Sequence, residues 1–298
     1  MKNFIGSRAI PDLVYHCPEN MEQLMDLLGH IQGHFKIVAG CTDFIPAVRG
    51  GRWAFDDGLE LIDIKKIPEL KYVTLDGDRI RIGGATPLSM IIGAPAIKER
   101  APGLAHGLTT MASPQVRNVG TIGGNICMSS PAADAVPSLL VLDAQVIING
   151  NQGEEKSPLD RFFLGPGRNI MAPDQVLTEI NFPAPAANES QHFQKVGTRD
   201  AVVISIVSAA SWLKVDNGKC QGVRIAMGSV APTPVRLPGA EALLVGNSLT
   251  LDAIDACAKH ASQEITPITD LRGSADYRRD LAYTLTKRTL TACMNDLM

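Results

Sequence analysis

The chain lacks the clustered residues that mark metal-binding and disulfide-rich proteins. Its six histidines form no HExxH pair, and no two cysteines stand in a CxxC pair or in the C-x4-C-x2-C spacing of a plant-type iron–sulfur cluster. We therefore expect no metal site within this chain, and thiols that are reduced and mostly buried. The cysteines are Cys17, Cys41, Cys127, Cys220, Cys257 and Cys293.

The sequence also lacks blocks of one charge and long apolar runs. Its 28 lysine and arginine residues nearly balance 31 aspartate and glutamate residues, for a formal net charge of -3. This balance argues against a nucleic-acid-binding or anionic-membrane-binding surface. No apolar run approaches the roughly 18 residues of a membrane span, and residues 1–20 show no secretory signal. The expected location is the cytoplasm.

Two familiar nucleotide-binding motifs are missing as well. No GxGxxG opens a helix after the first strand, and no GxxxxGKS/T occurs, so a Rossmann dehydrogenase and a P-loop enzyme are disfavoured. With 298 residues, of which 45% are hydrophobic and 20% charged, the composition is instead that of an ordinary globular protein long enough for two domains.

What the N-terminal half contains is a series of short helices and strands. Hydrophobic spacing, prolines and turn residues locate these elements. In chain order the pattern predicts a helix opened by Pro18, strands over 35–40 and 59–64, a hairpin over 72–84 that turns at Asp76-Gly77, helices from near Pro87 and Pro102, a helix over 132–144, and a strand over 145–150.

The C-terminal part has the pattern of a separate group of strands and helices. Prolines and alanines over 180–190 predict a loop, which is the best candidate for a domain boundary. Beyond it, residues 192–230 predict a meander of long strands with a turn at Asn217-Gly218. Two helical patterns follow, over 250–262 and 274–295. Segregated sheets with covering helices indicate the α+β class.

Two segments place glycine and hydroxyl residues directly after or between strand-like runs. They are KIVAGCTDF (36–44) and GTIGGNICMSSPAAD (120–134). A turn with free N–H groups and no Cβ can hold phosphate oxygens, and Thr42, Thr121 and Asn125 would add donors. Such turns are also often purely structural, so the pattern alone leaves both interpretations open.

These segments resemble those of the FAD-binding, or medium, subunits of molybdenum hydroxylases, the xanthine dehydrogenase family. Ordered matches over nearly the whole chain are far more specific than any single glycine-rich loop. Besides the two segments above, the matching stretches are SPQVRN (113–118), FFLGPGRN (162–169), APDQVLTEINFP (172–183), KVGTRDAVVIS (195–205), GSVAPTPVR (228–236) and LRGSADYRRDLA (271–282).

The resemblance implies an α+β fold like that of vanillyl-alcohol oxidase, in which two sub-domains hold an extended FAD. It implies an FAD-binding domain over 1–183, with sub-domains of about 1–58 and 59–183. A C-terminal domain over 190–298, containing a three-stranded sheet with helices, would pack against the flavin ring.

The resemblance also implies which residues hold FAD. Residues 36–43 would wrap the adenine-side diphosphate, and residues 121–125 would line the phosphates and the junction of the ribityl chain with the flavin. Asp134 would reach the ribityl chain or the ring edge, and Lys195 would approach the flavin ring. Met111 and Val176 would supply apolar contacts. It implies no catalytic residue and no metal ligand. The predicted cofactor-binding set is Lys36, Ile37, Val38, Ala39, Gly40, Cys41, Thr42, Asp43, Met111, Gly120, Thr121, Ile122, Gly123, Gly124, Asn125, Asp134, Val176 and Lys195.

Three of these residues also have a simpler interpretation. Cys41 stands where the family usually has a second glycine, and its Cβ both narrows the turn and restricts positive φ. Asp134 precedes an apolar helical run, where an acidic residue often only complements the helix dipole. Lys195 is equally compatible with a solvated position on a strand.

The function implied by the resemblance is electron transfer within a larger complex. A molybdenum-containing large subunit and a 2Fe-2S small subunit would lie on separate chains, and FAD would pass electrons to NAD+ or another acceptor. Two alternatives stay open at this point. One is a free-standing FAD-dependent oxidase or dehydrogenase of a small alcohol or phenol, and the other is a nucleotide-binding scaffold without turnover.

Overall fold

The strands of the described part of the chain form four separate sheets. The computed structural model describes residues 12–51, 53, 58–199 and 202–298. Within these ranges the strands are β1 Leu13–His16, β2 Phe35–Val38, β3 Leu59–Asp63, β4 Val73–Asp76, β5 Arg79–Gly83, β6 Gln145–Gly150, β7 Gly153–Pro158, β8 Phe163–Gly165, β9 Arg168–Asn169, β10 Val176–Pro183, β11 Glu189–Val196, β12 Val207–Asp216, β13 Lys219–Gly228 and β14 Val235–Arg236.

The helices range from four residues to twenty-three. No helix in the described part of the chain has the length and apolar character needed to cross a membrane. In the same ranges the helices are α1 Met21–His30, α2 Phe44–Arg49, α3 Leu88–Gly93, α4 Pro95–Arg100, α5 Pro102–Thr109, α6 Pro114–Arg117, α7 Ile122–Cys127, α8 Ala135–Val141, α9 Pro238–Ala242, α10 Leu251–Glu264 and α11 Ala275–Leu297.

The first sheet is parallel, in the order β1-β3-β2. Leu24 and Leu28 of α1 pack on Ile62 of β3 in a small core. The sequence analysis predicted that this helix opens at Pro18, but it begins at Met21. The reason is that the side chain of Asn20 accepts a hydrogen bond from the amide of Gln23 at 2.8 Å and so caps the first turn. The carboxyl ends of β2 and β3 lead into residues that line the site described below, among them Ala39, Gly40 and Ile64.

The second sheet has five antiparallel strands in the order β4-β5-β10-β6-β7. The predicted hairpin and the predicted strand over 145–150 are both present. The predicted loop over 180–190 is wrong at both ends, because β10 continues to Pro183 and β11 starts at Glu189. Ile180 and Phe182 are fully buried and hold β10 in the middle of the sheet, and Pro183 comes only at its end.

The third sheet has the order β11-β12-β13-β14. Its three long strands agree with the prediction, and the two-residue β14 adds a short fourth. Asn217 and Gly218 turn between β12 and β13 with φ of 49° and 71°. One face of the sheet packs on α10 and α11, and the other, with Phe193 and Trp212, packs on the helices of the N-terminal half. The α+β class is confirmed.

Candidate functional site

The loop that leaves β2 carries a row of free amide groups. The backbone N–H groups of Gly40, Cys41, Thr42 and Asp43 donate no hydrogen bond to any described residue. Cys41 lies in the left-handed region with φ of 54°. Successive free amides around a left-handed residue form a concave nest that attracts anions. This loop is therefore suited to hold a phosphate group.

Gly40 is required by the contact between this loop and the second glycine-rich segment. A Cβ at Gly40 would lie 2.1 Å from the carbonyl oxygen of Val119 and 2.8 Å from the Cα of Gly120. Both neighbours are backbone atoms, which cannot rotate away. The two segments thus touch main chain to main chain, and this contact fixes their relative position.

Contacts within the protein also account for the glycines Gly123 and Gly124 of the second segment. The Thr121 side chain caps α7 by accepting a hydrogen bond from the amide of Gly124 at 3.1 Å. The amide of Gly123 donates to the carbonyl oxygen of Gly84 at 2.9 Å, and a Cβ at Gly123 would lie 2.5 Å from that oxygen. The amides at the start of α7 thus already have acceptors, in contrast to those of residues 40–43.

The two segments line a groove made of two joined cavities. Their volumes are about 480 and 200 Å³, and six residues line both: Ile37, Val38, Ala39, Thr121, Gly124 and Cys127. Fifteen of the predicted residues line this central groove. They are Lys36, Ile37, Val38, Ala39, Gly40, Cys41, Thr42, Asp43, Met111, Gly120, Thr121, Gly123, Gly124, Asn125 and Val176.

Ile122, Asp134 and Lys195 are not part of the groove lining. Ile122 is fully buried in the hydrophobic core beneath it. Asp134 and Lys195 instead form a buried ion pair of 2.7 Å, and the side chains of both are only 7% exposed. Ser205 donates a hydrogen bond to the second carboxylate oxygen of Asp134. Burial raises the pKa of Asp134 above its ordinary value, against the lowering effect of Lys195 and Ser205.

Several residues of the groove lining, and one partner of Asp134, were missed by the sequence analysis. Cys127 and Met128 line the groove because they lie three and four residues after Gly124, at the end of α7, so helical spacing was a signal that could have found them. Ser205 carries no such signal, since only the folded chain brings it to Asp134. The remaining missed lining residues are Phe44, Trp53, Ile64, Gly84, Leu88, Ala112, Val116, Met171, Pro173, Gln175 and Leu177.

Comparison with known proteins identifies the family of this chain. Residues 8–185 match the family described as the FAD binding domain in molybdopterin dehydrogenase. Residues 192–293 match the carbon monoxide dehydrogenase flavoprotein C-terminal domain. The chain belongs to the FAD-binding medium subunits of the molybdenum hydroxylases. Its cofactor is FAD, as predicted, and it is a component of an oxidoreductase.

Similar medium subunits span almost the same length. The carbon monoxide dehydrogenase medium chain of Hydrogenophaga pseudoflava is 32% identical over 95% of this chain and 97% of its own. The putative xanthine dehydrogenase FAD-binding subunit of Escherichia coli is 33% identical over 93% and 94%. A solved carbon monoxide dehydrogenase from Hydrogenophaga pseudoflava, lacking the Mo-pyranopterin moiety, superposes with a TM-score of 0.91 at 32% identity, over 97% of this chain and 99% of that one.

The residues of the groove fit a dinucleotide in three respects. The amides of residues 40–43 offer donors for the diphosphate. The Oδ1 atom of Asn125 is buried without a hydrogen-bond partner, so it is available to a ligand hydroxyl or N–H group. At Gly124 a Cβ would meet only the Oγ1 atom of Thr121, at 3.0 Å, and the missing side chain leaves that space to the groove.

Replacing Cys41 with glycine is expected to stabilise this medium subunit. The left-handed conformation costs a non-glycine residue about 1–2 kcal/mol. Glycine avoids this cost, but its larger loss of conformational entropy on folding offsets about 0.5–1 kcal/mol of the gain. We expect a net gain of about 0.5–1 kcal/mol in the free energy of unfolding, measured by urea denaturation. Cys41→Ala is the matched control, because it removes the thiol but keeps the Cβ. An equal gain in both variants would contradict the backbone explanation.

Proposed function

We propose that this chain is the FAD-binding electron-transfer subunit of a multi-subunit molybdenum hydroxylase of the xanthine dehydrogenase type. Its partners in this proposal are a large subunit with the molybdenum cofactor and a small subunit with 2Fe-2S clusters. The electron acceptor is NAD+ or another carrier, and the complex works in the cytoplasm. When bound, FAD can take up and release electrons.

The lining of the central groove supports electron transfer rather than direct oxidation of an alcohol or phenol. An oxidase of that kind needs a general base beside the flavin, and no tyrosine, histidine or arginine is among the described lining residues. Three of the tyrosines are committed to carboxylates elsewhere: Tyr15 to Asp63, Tyr72 to Glu179 and Tyr283 to Asp255.

In this proposal the chain binds and orients the cofactor and leaves the redox chemistry to it. The loop over 40–43 holds the diphosphate, and Asn125, with its unpaired Oδ1, orients the part of FAD that follows. Asp134 and Lys195, already paired with each other, lie outside the groove lining and would place their charges near the ring end. A buried pair supplies fixed charges that need no reorganisation by water.

The proposal also divides the chain into two functional domains. Residues 1–183 form the FAD-binding domain, with sub-domains of about 1–58 and 59–183, and residues 190–298 form the C-terminal domain. The short link over 184–188 between β10 and β11 supports this division. The remaining predicted FAD contacts, including Met111, Val176 and Lys36, belong to the first domain.

Purification of the complex tests the proposal. We expect this chain, tagged and expressed in its native host, to copurify with FAD, molybdenum and iron in near-stoichiometric amounts, as measured by absorbance and metal analysis. Addition of NADH without oxygen is expected to bleach the flavin band if NAD+ is the acceptor.

Other outcomes would overturn the proposal. A flavin-loaded chain recovered alone and bleached directly by a small alcohol would identify a free-standing oxidase. A colourless chain that takes up no FAD would identify a scaffold without turnover. A complex with FAD, molybdenum and iron that NADH leaves yellow would rule out NAD+ as the acceptor but keep the subunit assignment.

A further inference from the structure

A second cavity, separate from the central groove, is lined by basic side chains. It has a volume of about 440 Å³ and lies between α5, β11 and the middle of α11. His106, Lys195, Arg199 and Arg288 contribute to its walls, with Thr110 and Gln194 as neutral polar neighbours, and no acidic residue is among its described lining residues. We call it the cationic cleft.

Most of these basic groups have no counter-charge among the described residues. Arg288 is exposed and makes neither an ion pair nor a hydrogen bond. Arg199 donates only to the backbone carbonyl of Val202. His106 contacts the ring of Phe193, at 6.4 Å between centroids, and has no polar partner. Lys195 alone is paired, through its 2.7 Å contact with Asp134.

What distinguishes this cavity is that four basic side chains line it and no acidic side chain does, in a chain with a net charge of -3. Like charges that share one cavity repel each other, and a bound anion removes that repulsion. The cleft is therefore preorganised for an anionic ligand in the same way as an unpaired arginine cluster.

We propose that the cationic cleft binds a phosphate-bearing ligand, with a diphosphate group as its recognised part. Arginine presents a planar fork of donors that matches phosphate oxygens bidentately, and the fork of Arg288 is unused by the described residues. Arg199 uses Nε and Nη2 for the carbonyl of Val202 and keeps its Nη1 donors for a second phosphate. A single carboxylate would need only one of the two arginines. The cavity volume of about 440 Å³ is that of a small-molecule site.

Two sources could supply this chemistry. One is a dinucleotide electron acceptor, and that source rests on the proposed function, since Lys195 joins the wall of the cleft to the Asp134 pair. The other is free inorganic diphosphate. The dinucleotide and inorganic diphosphate share the diphosphate group, so the experiment compares the two ligands directly.

The test is titration calorimetry on the FAD-loaded protein, in which the loop over 40–43 is already occupied. The ligands are inorganic diphosphate and NAD+. We expect Arg288→Gln to weaken diphosphate binding at least about tenfold, as loss of a charge-assisted hydrogen bond predicts. Arg161→Gln is the matched control, because Arg161 is also exposed and unpaired but lies outside the cleft. Arg199→Gln serves as a second variant within the cleft.

The outcomes separate the two sources and the two proposals. NAD+ binding tighter than diphosphate, with the same loss in Arg288→Gln, assigns the cleft to a dinucleotide, and equal affinities assign it to the free anion. No binding of either ligand, or an equal loss in Arg161→Gln, overturns the cleft proposal. Failure of the proposed function would instead appear as missing FAD, molybdenum or iron, which are measured independently in every preparation.

Discussion

Replacing Gly40 with alanine is expected to cost the protein about 100-fold in FAD affinity, or about 2.7 kcal/mol, and about 3 kcal/mol in the free energy of unfolding. The added Cβ would stand 2.1 Å from the carbonyl oxygen of Val119, closer than any real contact. The atoms it meets belong to the backbone, so the loop over 40–43 and the segment around Gly120 must separate. The nest of free amides then no longer faces the groove.

The measurements are flavin fluorescence titration for affinity and urea denaturation for stability. Gly93→Ala is the matched control, because nothing lies within 4 Å of a Cβ at Gly93, and its φ is not positive. Alanine there, at the end of α3, is expected to leave FAD affinity unchanged and to stabilise the helix slightly. If Gly40→Ala kept full FAD affinity, the contact between the two segments would not position the cofactor.

The second large effect is expected at the buried pair of Asp134 and Lys195. Lys195→Met removes one partner and leaves the carboxylate buried with Ser205 as its one remaining hydrogen-bond donor. Breaking such a pair typically costs about 3–5 kcal/mol, because an uncompensated charge stays in the interior. The double variant Asp134→Asn with Lys195→Met is expected to recover much of this loss, since no charge then remains to be desolvated.

The pH dependence of the destabilisation caused by Lys195→Met distinguishes a buried unpaired charge from a simple packing defect, because a packing defect would not vary with pH. Burial raises the pKa of Asp134 in the folded state, and loss of the lysine raises it further. Between the unfolded and folded pKa values the native state binds more protons, so the free energy of unfolding falls as pH rises. The destabilisation should therefore be smallest at acidic pH and grow as pH rises through the folded pKa, whereas the double variant should show no such trend.

The parts of the fold that could be predicted are those whose own residues determine them. The helix α10 has an amphipathic pattern, α11 runs over 23 residues without glycine or proline, and Asn217-Gly218 allows few structures besides a tight hairpin turn. The strand β7 was missed because its residues, GEEKSP, are polar and exposed at the edge of a sheet, so no apolar alternation marks it. The prolines near 183 likewise concealed the end of a central strand.

The sequence predicted which residues lie at the site, but not the hydrogen bonds and the ion pair that they form. The family resemblance located fifteen of the groove-lining residues. It did not reveal that the amides at Ile122 and Gly123 are already bound to Thr86 and Gly84, because those acceptors lie more than thirty residues away along the chain. For the same reason the pairing of Asp134 with Lys195 depends on the packing of two distant segments.

The position of the C-terminal sheet between two cores has a consequence for dissecting the protein. Phe193 and Trp212 are buried against helices of the N-terminal half. Separating the two fragments made by a cut within 184–188 would therefore expose to water, on each fragment, apolar surface that is buried in the intact chain. We therefore expect the two halves to unfold together, although the link over 184–188 forms a seam between them. Limited proteolysis at that seam should yield fragments that stay together until the whole protein melts.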